Sequence, residues 1–164
     1  MTAEKEIKEI LPRNLSWLLL NYTANLMAEF YEMQSTFLSG IYKRYKSIET
    51  ANIILCLAKK MHLEIIRQRE KNMNHDISLE NFWNNFNNID RPTEKIASIA
   101  NMTGIPKETT RRKIISLINQ NFVVLNKSNK EYYWNLSSKH HDDYFNIVKN
   151  EIEVLAKFAS TCAG

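Results

Sequence analysis

The chain has 164 residues, enough for one domain with its own hydrophobic core or for a small domain with an oligomerisation arm. Glycine and proline occur three times each, which disfavours an all-β or a disordered chain. The two cysteines, Cys56 and Cys162, are too few for a disulfide framework or a metal knuckle. The opening residues lack the apolar core of a signal peptide, and the apolar run at 17–20 is too short to span a bilayer. We therefore expect a soluble, cytoplasmic, mainly α protein with no membrane partner.

Charge is distributed unevenly along the chain. Residues 91–139 contain nine Lys and Arg against three Asp and Glu, a net of +6. Residues 1–90 contain eleven of each sign, and residues 140–164 contain two basic and four acidic side chains. A positive field concentrated in one segment is typical of a phosphate binder. The alternative interpretation is a basic surface that serves only solubility.

In chain order, the first strong pattern predicts a helix over residues 13–42 with two apolar faces. Gly40 and the basic, aromatic stretch 42–46 predict its end. Two apolar faces indicate burial on two sides, and a partner subunit is the simplest cover for the second. The aromatic residues between 15 and 45 could instead line a pocket for a small apolar effector, although packing is the more common role. One face is Leu19, Leu26, Phe30, Met33, Phe37 and Ile41, and the other is Trp17, Leu20, Met27, Tyr31 and Leu38.

The next pattern predicts a helix that Ser47 caps and that runs to about residue 69. Cys56 lies in an apolar run and is expected to be a small buried hydrophobe, and His62 is expected to be a satisfied core histidine. A polar linker at 71–76 and a short helix at about 78–87 follow. The predicted buried face of the longer helix is Ile48, Ala51, Leu55, Ala58, His62, Ile65 and Ile66.

Residues 93–120 have the signals of two short helices joined by a tight turn. Thr93 can cap the first helix, at about 93–102, with Glu94 in its first turn. Gly104 allows the left-handed backbone of a tight turn, and Pro106 suits the first position of the second helix, at about 106–120. The expected buried residues are Ile96, Ile99 and Ala100 in the first helix and Thr110, Ile114, Leu117 and Ile118 in the second.

Two short strands and a last helix complete the pattern. The strands are predicted at 122–126 and 132–136, joined by the turn Lys127-Ser128-Asn129-Lys130. The last helix is predicted from about 138 to 160, with Ile147, Ile152, Leu155 and Phe158 as its apolar stripe.

The run from Ile96 to Val124 resembles the winged helix-turn-helix DNA-binding domains of bacterial transcription regulators, at the level of the superfamily that includes the MarR and GntR groups. Thr110 stands where such motifs usually have Val or Ile, and Asn121 where they often have Gly. The hairpin lacks the Asp- and Arg-rich signature of MarR proteins. The matching residues are Ala100, Gly104, Ile105, the helix start Thr109-Thr110-Arg111-Arg112, Leu117 and Asn121-Phe122-Val123.

The resemblance implies double-stranded DNA as the partner and assigns roles to outward side chains. Arg111 and Arg112 lie early in the second helix, where a guanidinium can pair with guanine in a major groove. Lys107 suits a phosphate contact, and the lysines of the hairpin turn suit the backbone of a neighbouring groove. The expected DNA-binding residues are Lys107, Thr109, Arg111, Arg112, Lys113, Ser116, Lys127 and Lys130.

Other chemistry finds no support in the sequence. The run His140-His141-Asp142-Asp143 cannot converge on one ion, because adjacent residues of a helix point about 100° apart. We expect solvated imidazoles at an acidic helix start instead, and no metal. No nucleophile arrangement or glycine-rich phosphate loop is present, so no enzyme activity and no cofactor are expected.

The sequence therefore predicts a mainly α protein with a winged helix-turn-helix and a two-stranded wing. The predicted division is a helical dimerisation or effector part at 1–76, the winged helix at 77–137 and a C-terminal interface helix at 138–164. The predicted function is sequence-specific DNA binding in transcription control, as a homodimer. The alternatives are a winged-helix protein-interaction module of a chromosome or replication assembly, and an effector-gated regulator with a ligand pocket in its helical part.

Overall fold

The computed structural model describes residues 16–17, 20–21, 23–71, 90–135 and 138–163. Within these residues the chain is mainly helical with one antiparallel hairpin, so the mainly α prediction is confirmed. The predicted short helix at 78–87 lies outside the described residues. The elements are α1 (Thr23–Tyr45), α2 (Ile48–Lys71), α3 (Ile96–Thr103), α4 (Lys107–Asn119), β1 (Val123–Asn126), β2 (Glu131–Trp134) and α5 (Ser138–Ala163).

The chain divides into two compact units. The first unit combines residues 1–44 with 142–164, and the second comprises residues 45–141. This division differs from the predicted one, because α2 packs against α3, α4 and β2 and so belongs with them.

The core of the second unit lies between α2, α3, α4 and β1. The face that α2 contributes is rotated by about 100°, one residue position, from the predicted face. Ala51, Ala58 and Ile65 are buried as predicted, but Leu55 is 50% exposed and Ile48 is 65% exposed. The run 53–57 is apolar on every side, so the packing of α3 and α4 decides which side is buried. The fully buried side chains include Ile53, Ile54, Met61, Ile99, Thr110, Ile114, Leu117 and Val123.

The turn between α3 and α4 follows the local signals in the sequence. Gly104 ends α3 with φ 70°, in the left-handed region, as predicted. Pro106 directly precedes the first residue of α4, Lys107. The Thr103 hydroxyl also donates to the carbonyl oxygen of Ile99, one turn earlier, at 2.8 Å.

The start of α3 corrects the sequence-based expectation. The helix begins at Ile96, so Thr93 does not cap it and Glu94 is not in its first turn. Glu94 instead exchanges two backbone hydrogen bonds of 2.8 Å with Tyr132 of β2. The Thr93 hydroxyl donates to the Glu131 carboxylate. Thr93 and Glu94 therefore bond to the hairpin and not to α3. Glu94 pairs with Tyr132 as a single-residue antiparallel bridge on the edge of β2.

The hairpin pairs β1 and β2 in a register that runs from Val123 opposite Trp134 to Asn126 opposite Glu131. Asn121, which precedes β1, has φ 61°, the left-handed conformation expected for this position. Phe122 and Trp134 are buried at the base of the hairpin. The turn at its tip is therefore held away from the core at a fixed register.

The first unit is an antiparallel pair of helices. The Phe30 ring lies 5.8 Å from the Phe158 ring, and the Glu29 carboxylate forms a 3.0 Å ion pair with Lys157. Leu26 and Met33 are buried. The helix α1 continues past Gly40, which was predicted to end it, because the next turn still packs on α5. There the Arg44 guanidinium lies 5.3 Å from the centre of the Tyr144 ring.

Candidate nucleic-acid interface

Most of the side chains that the sequence singled out lie on α4 and in the hairpin turn of the second unit, which together are the candidate surface. Thr110, Ile114 and Leu117 are each 0% exposed and fix which side of α4 faces the core. The Thr110 hydroxyl donates at 3.2 Å to the carbonyl oxygens of Ile105 and Pro106, which gives this buried polar residue its partners. The opposite side of α4 is consequently exposed, with Arg112 and Ser116 on it.

Two of the predicted basic residues are engaged within the protein. Arg111 donates to Glu108 through Nε at 3.1 Å and Nη2 at 2.7 Å, a bidentate pair on the exposed first turns of α4. Lys113 lies on the side of α4 that faces α2, where its ammonium is 3.2 Å from the Glu49 carboxylate and 3.1 Å from the Ser47 hydroxyl. Lys113 therefore links α4 to the start of α2.

Four other basic residues are exposed and form no ion pair with any residue in the described part of the chain. They are Lys107 at the start of α4, Arg112 on its outer side, and Lys127 and Lys130 in the hairpin turn. A polyanion can therefore bind these four side chains without breaking an ion pair within the described part of the chain.

The hairpin turn that contains Lys127 and Lys130 is strongly organised. Asn126 accepts the backbone N–H of Lys130 on its carbonyl at 2.9 Å and the N–H of Ser128 on its side chain at 3.0 Å. Asn129 accepts the N–H of Glu131 at 3.0 Å. Lys130 has φ 58°, which this tight turn requires. The two lysines therefore project from a fixed backbone.

The turn is also fastened to the segment before α3. The Asn129 amide donates to the Thr93 hydroxyl at 3.2 Å and to the Glu131 carboxylate at 3.1 Å. Together with the backbone pairing of Glu94 and Tyr132, these bonds fix the hairpin to the start of α3. These contacts were not predicted from the sequence, because their partners are far apart in the chain.

The acidic residues of segment 91–139 are all paired. Glu94 pairs with Lys60 of α2, Glu108 pairs with Arg111, and Glu131 lies 4.0 Å from Lys95. Hydrogen bonding to Arg111 lowers the pKa of Glu108, and the same bond raises the pKa of Arg111. The remaining field of this surface is therefore positive. The ion pair between Glu108 and Arg111 was not predicted from the sequence, although a separation of three residues is a known ion-pair spacing in helices.

His62 and His140 have structural contacts. His140 was expected to be solvated, but its Nε2 donates to the Gln120 carbonyl oxygen at 2.8 Å and its ring stacks on Phe122 at 4.0 Å. His62 has the hydrogen bond expected of a satisfied histidine, from Nδ1 to Ala58 at 2.8 Å, but it lies at the surface rather than in the core. Among the described residues, no group of three His, Cys, Asp or Glu is arranged to hold a metal ion.

Cys56 is half-buried rather than fully buried. Its thiol lies 3.8 Å from the Met102 sulfur in a surface groove between α2 and α3. Burial raises the pKa of the Cys56 thiol, so the thiolate is disfavoured at neutral pH.

Comparisons with protein families, with characterised proteins and with solved structures found no match to this chain. In the described part of the chain, no helix is both long enough and apolar enough to cross a membrane.

Proposed function

We propose that the second unit is a winged helix-turn-helix that binds double-stranded DNA and that the protein is a cytoplasmic transcription regulator acting as a homodimer. In this proposal α3 and α4 are the helix-turn-helix, α4 enters the major groove, and the hairpin is the wing. The single observation that carries the proposal is a set of four exposed cations, on α4 and on the hairpin turn, that form no ion pair with the residues the structure describes.

The structural arrangement supports separate roles for these cations. Arg112 lies on the outer side of α4 and is proposed to contact base edges, where a bidentate pair with guanine contributes about 1–3 kcal/mol of discrimination. Lys107, Lys127 and Lys130 lie at the helix start and the hairpin turn and are proposed to bind phosphates. Arg111, Thr109 and Ser116 remain proposed readers, with Arg111 held by Glu108 in the free protein.

The first test measures the salt dependence of binding to a random duplex by fluorescence anisotropy. The three proposed phosphate contacts per protomer predict a log–log slope of roughly −3 per protomer, at about −0.9 per phosphate neutralised. Lys127→Ala together with Lys130→Ala should weaken binding to all sequences alike and reduce the slope by about 2. Lys149→Ala, an exposed charge on α5 in the other unit, is the matched control and should leave the slope unchanged.

The second test distinguishes residues that contact bases from residues that contact phosphates. Selection of preferred sites from a randomised duplex pool should yield a motif that Arg112→Ala relaxes at specific positions, with a loss of about 1–3 kcal/mol on the preferred site. If the wing lysines altered base preference and Arg112 did not, the assigned roles would be reversed. No detectable binding even at low salt would refute the proposal and favour a winged helix that binds protein.

The second alternative, an effector-gated regulator, is tested by ligand binding. A thermal-shift screen with small apolar compounds should raise the melting temperature if a ligand binds the folded chain. A compound that also changes DNA affinity would establish gating, since a ligand can shift an equilibrium only through differential affinity.

A further inference from the structure

The two helices of the first unit together have one polar side. A groove on that side is lined by Thr36 and Lys43 of α1 and by Asn146 and Asn150 of α5. The ion pair between Glu29 and Lys157 also joins the two helices. Residues 29, 36 and 43 recur every seven positions on α1, so they mark one continuous stripe.

The opposite side of the same helix pair is apolar. Tyr31 and Leu38 each follow a residue of the polar stripe by two positions, a rotation of about 200° around α1. Ile152 follows Asn150 by the same step on α5. Because the polar stripes of both helices border one groove, the stripes on their far sides lie together on the other side of the pair. We define this outer face as Ala24, Met27, Tyr31, Leu38 and Tyr42 of α1 with Val148, Ile152, Leu155, Ala159 and Cys162 of α5.

Large side chains on the outer face are exposed. Tyr31 is 60% exposed, Leu38 52% and Tyr42 61% on α1, and Ile152 is 51% and Leu155 49% exposed on α5. Both apolar stripes have a seven-residue repeat. On α1 the repeat is Ala24, Tyr31 and Leu38, and on α5 it is Val148, Leu155 and Cys162. A seven-residue repeat is the spacing at which a helix packs along another helix.

From this geometry we infer that the outer face binds the outer face of a second copy, so that two helix pairs form a four-helix bundle. The inference deepens the homodimer part of the proposed function by naming its interface, and its test uses no nucleic acid. Failure of DNA binding and failure of dimerisation are therefore separate results.

Charge and area favour a second copy as the occupant. The outer face has no Asp, Glu, Lys or Arg, so a twofold self-pairing brings no like charges together. Trp17 and Leu20 are helical and lie seven positions before Ala24 and Met27, so their spacing extends the outer face toward the N-terminus. With aromatic side chains that bury 150–250 Å² each, the exposed fractions of the five large residues and of these two amount to about 800 Å² per copy, near the ~800 Å² per partner of a stable interface. Trp17 and Leu20 are 59% and 78% exposed.

A lipid surface fits the unit less well. Membrane-surface helices place Lys and Arg on the polar side to meet anionic headgroups. Residues 23–44 contain two acidic and two basic side chains, and residues 142–163 contain four acidic and two basic ones, a combined net of −2. This balance opposes binding to an anionic membrane.

The test is sedimentation velocity of the full chain at micromolar concentration, with paired variants. Leu38→Glu with Ile152→Glu would bury unpaired charge in the interface and should raise the dissociation constant at least about 100-fold. Thr36→Glu with Asn150→Glu, each two residues away on the polar side, is the matched control and should sediment as the parent dimer. Circular dichroism should show unchanged helix content in both variants, because all the replaced side chains are on the surface of a single chain.

Three results would overturn the inference. They are a parent chain that sediments as a monomer, an outer-face variant that remains a dimer, and a control variant that dissociates equally. If the glutamate variant did not fold, the milder pair Leu38→Gln with Ile152→Gln would replace it in the same sedimentation experiment. The melting temperature of the parent would also be measured at several concentrations, because it rises with protein concentration only if the parent is a dimer. Parent protein that is monomeric and pellets with phosphatidylserine vesicles would assign the face to lipid instead.

Discussion

The same substitution, Gly to Ala, should have opposite effects on stability at the two described glycines. Gly104 has φ 70°, and nothing lies within 4 Å of the position that a Cβ would take. Gly40 lies inside α1, where an added Cβ would meet Ile147 Cγ2 at 3.8 Å and Glu151 Oε1 at 3.9 Å, which are ordinary contact distances. Neither change therefore involves a clash, and backbone conformation alone sets the sign.

The magnitudes follow from that conformation. A left-handed backbone costs an L-residue roughly 1–2 kcal/mol, and the less flexible unfolded chain returns about 0.4–1 kcal/mol. Gly104→Ala should therefore destabilise the second unit by about 1 kcal/mol. Gly104→Asn should cost less, because asparagine adopts this conformation more readily. Gly40→Ala should stabilise the first unit by about 0.5–1 kcal/mol, the helical preference of Ala over Gly.

Native-state hydrogen exchange is the suitable assay, because it reports opening free energies in each unit separately. Gly104→Ala should accelerate exchange in α3 and α4, and Gly40→Ala should slow it in α1 and α5. Urea denaturation followed by circular dichroism gives the sum of both effects. If Gly104→Ala left exchange in α4 unchanged or slowed it, the argument that this turn needs a left-handed residue would be refuted.

Three further predictions concern the core, the pH response and the candidate interface. Ile114→Ala should lower the free energy of unfolding of the second unit by about 2–5 kcal/mol, because this side chain is 0% exposed. Urea denaturation measures this loss, and a loss smaller than that of Ile115→Ala, at an exposed position, would contradict the assignment of Ile114 to the core. Burial raises the pKa of Glu151, so the folded chain holds this proton more tightly and stability falls as pH rises from the ordinary carboxyl pKa to the raised one. Glu151→Gln should abolish that fall and be at least as stable as the parent at neutral pH, and a steeper pH dependence in the variant would disprove the assignment. Glu108→Gln should release Arg111 and steepen the salt dependence of DNA binding by about 0.9 in log–log slope, whereas a shallower slope would show that Glu108 does not restrain Arg111.

Signals that depend on neighbouring residues were readable from the sequence. The left-handed turn at Gly104 follows from the backbone limits of a single residue and is observed. Pro106 was predicted as the first residue of α4, and it is instead the N-cap residue directly before that helix. The buried side of α4 could also be predicted, because Thr110, Ile114 and Leu117 recur at helical spacing on one face. The same reasoning predicted the outward cations of the candidate interface, whose role stays a prediction.

Features that depend on distant residues were not readable. The buried side of α2 was misjudged because its central run is apolar all round, and only the packing of other helices selects a side. Glu94 looked like a helix-start residue, but pairing with Tyr132 of the hairpin overrides that local preference. Lys113 looked like one more outward cation, yet its partner Ser47 lies 66 residues earlier in the chain.

The contacts of Phe122 have a consequence for the order of folding. Tyr45, at the end of α1, lies edge-on to this ring at 5.3 Å, and His140, near the start of α5, stacks on it at 4.0 Å. Roughly a hundred residues separate α1 from α5, and closing so long a loop in a free chain costs entropy that grows with the logarithm of its length. Once the second unit has folded around Phe122, however, residues 45 and 140 are already neighbours. On a ribosome the second unit is synthesised before most of α5, so it can fold first, and α1 and α5 then associate late and over a short distance.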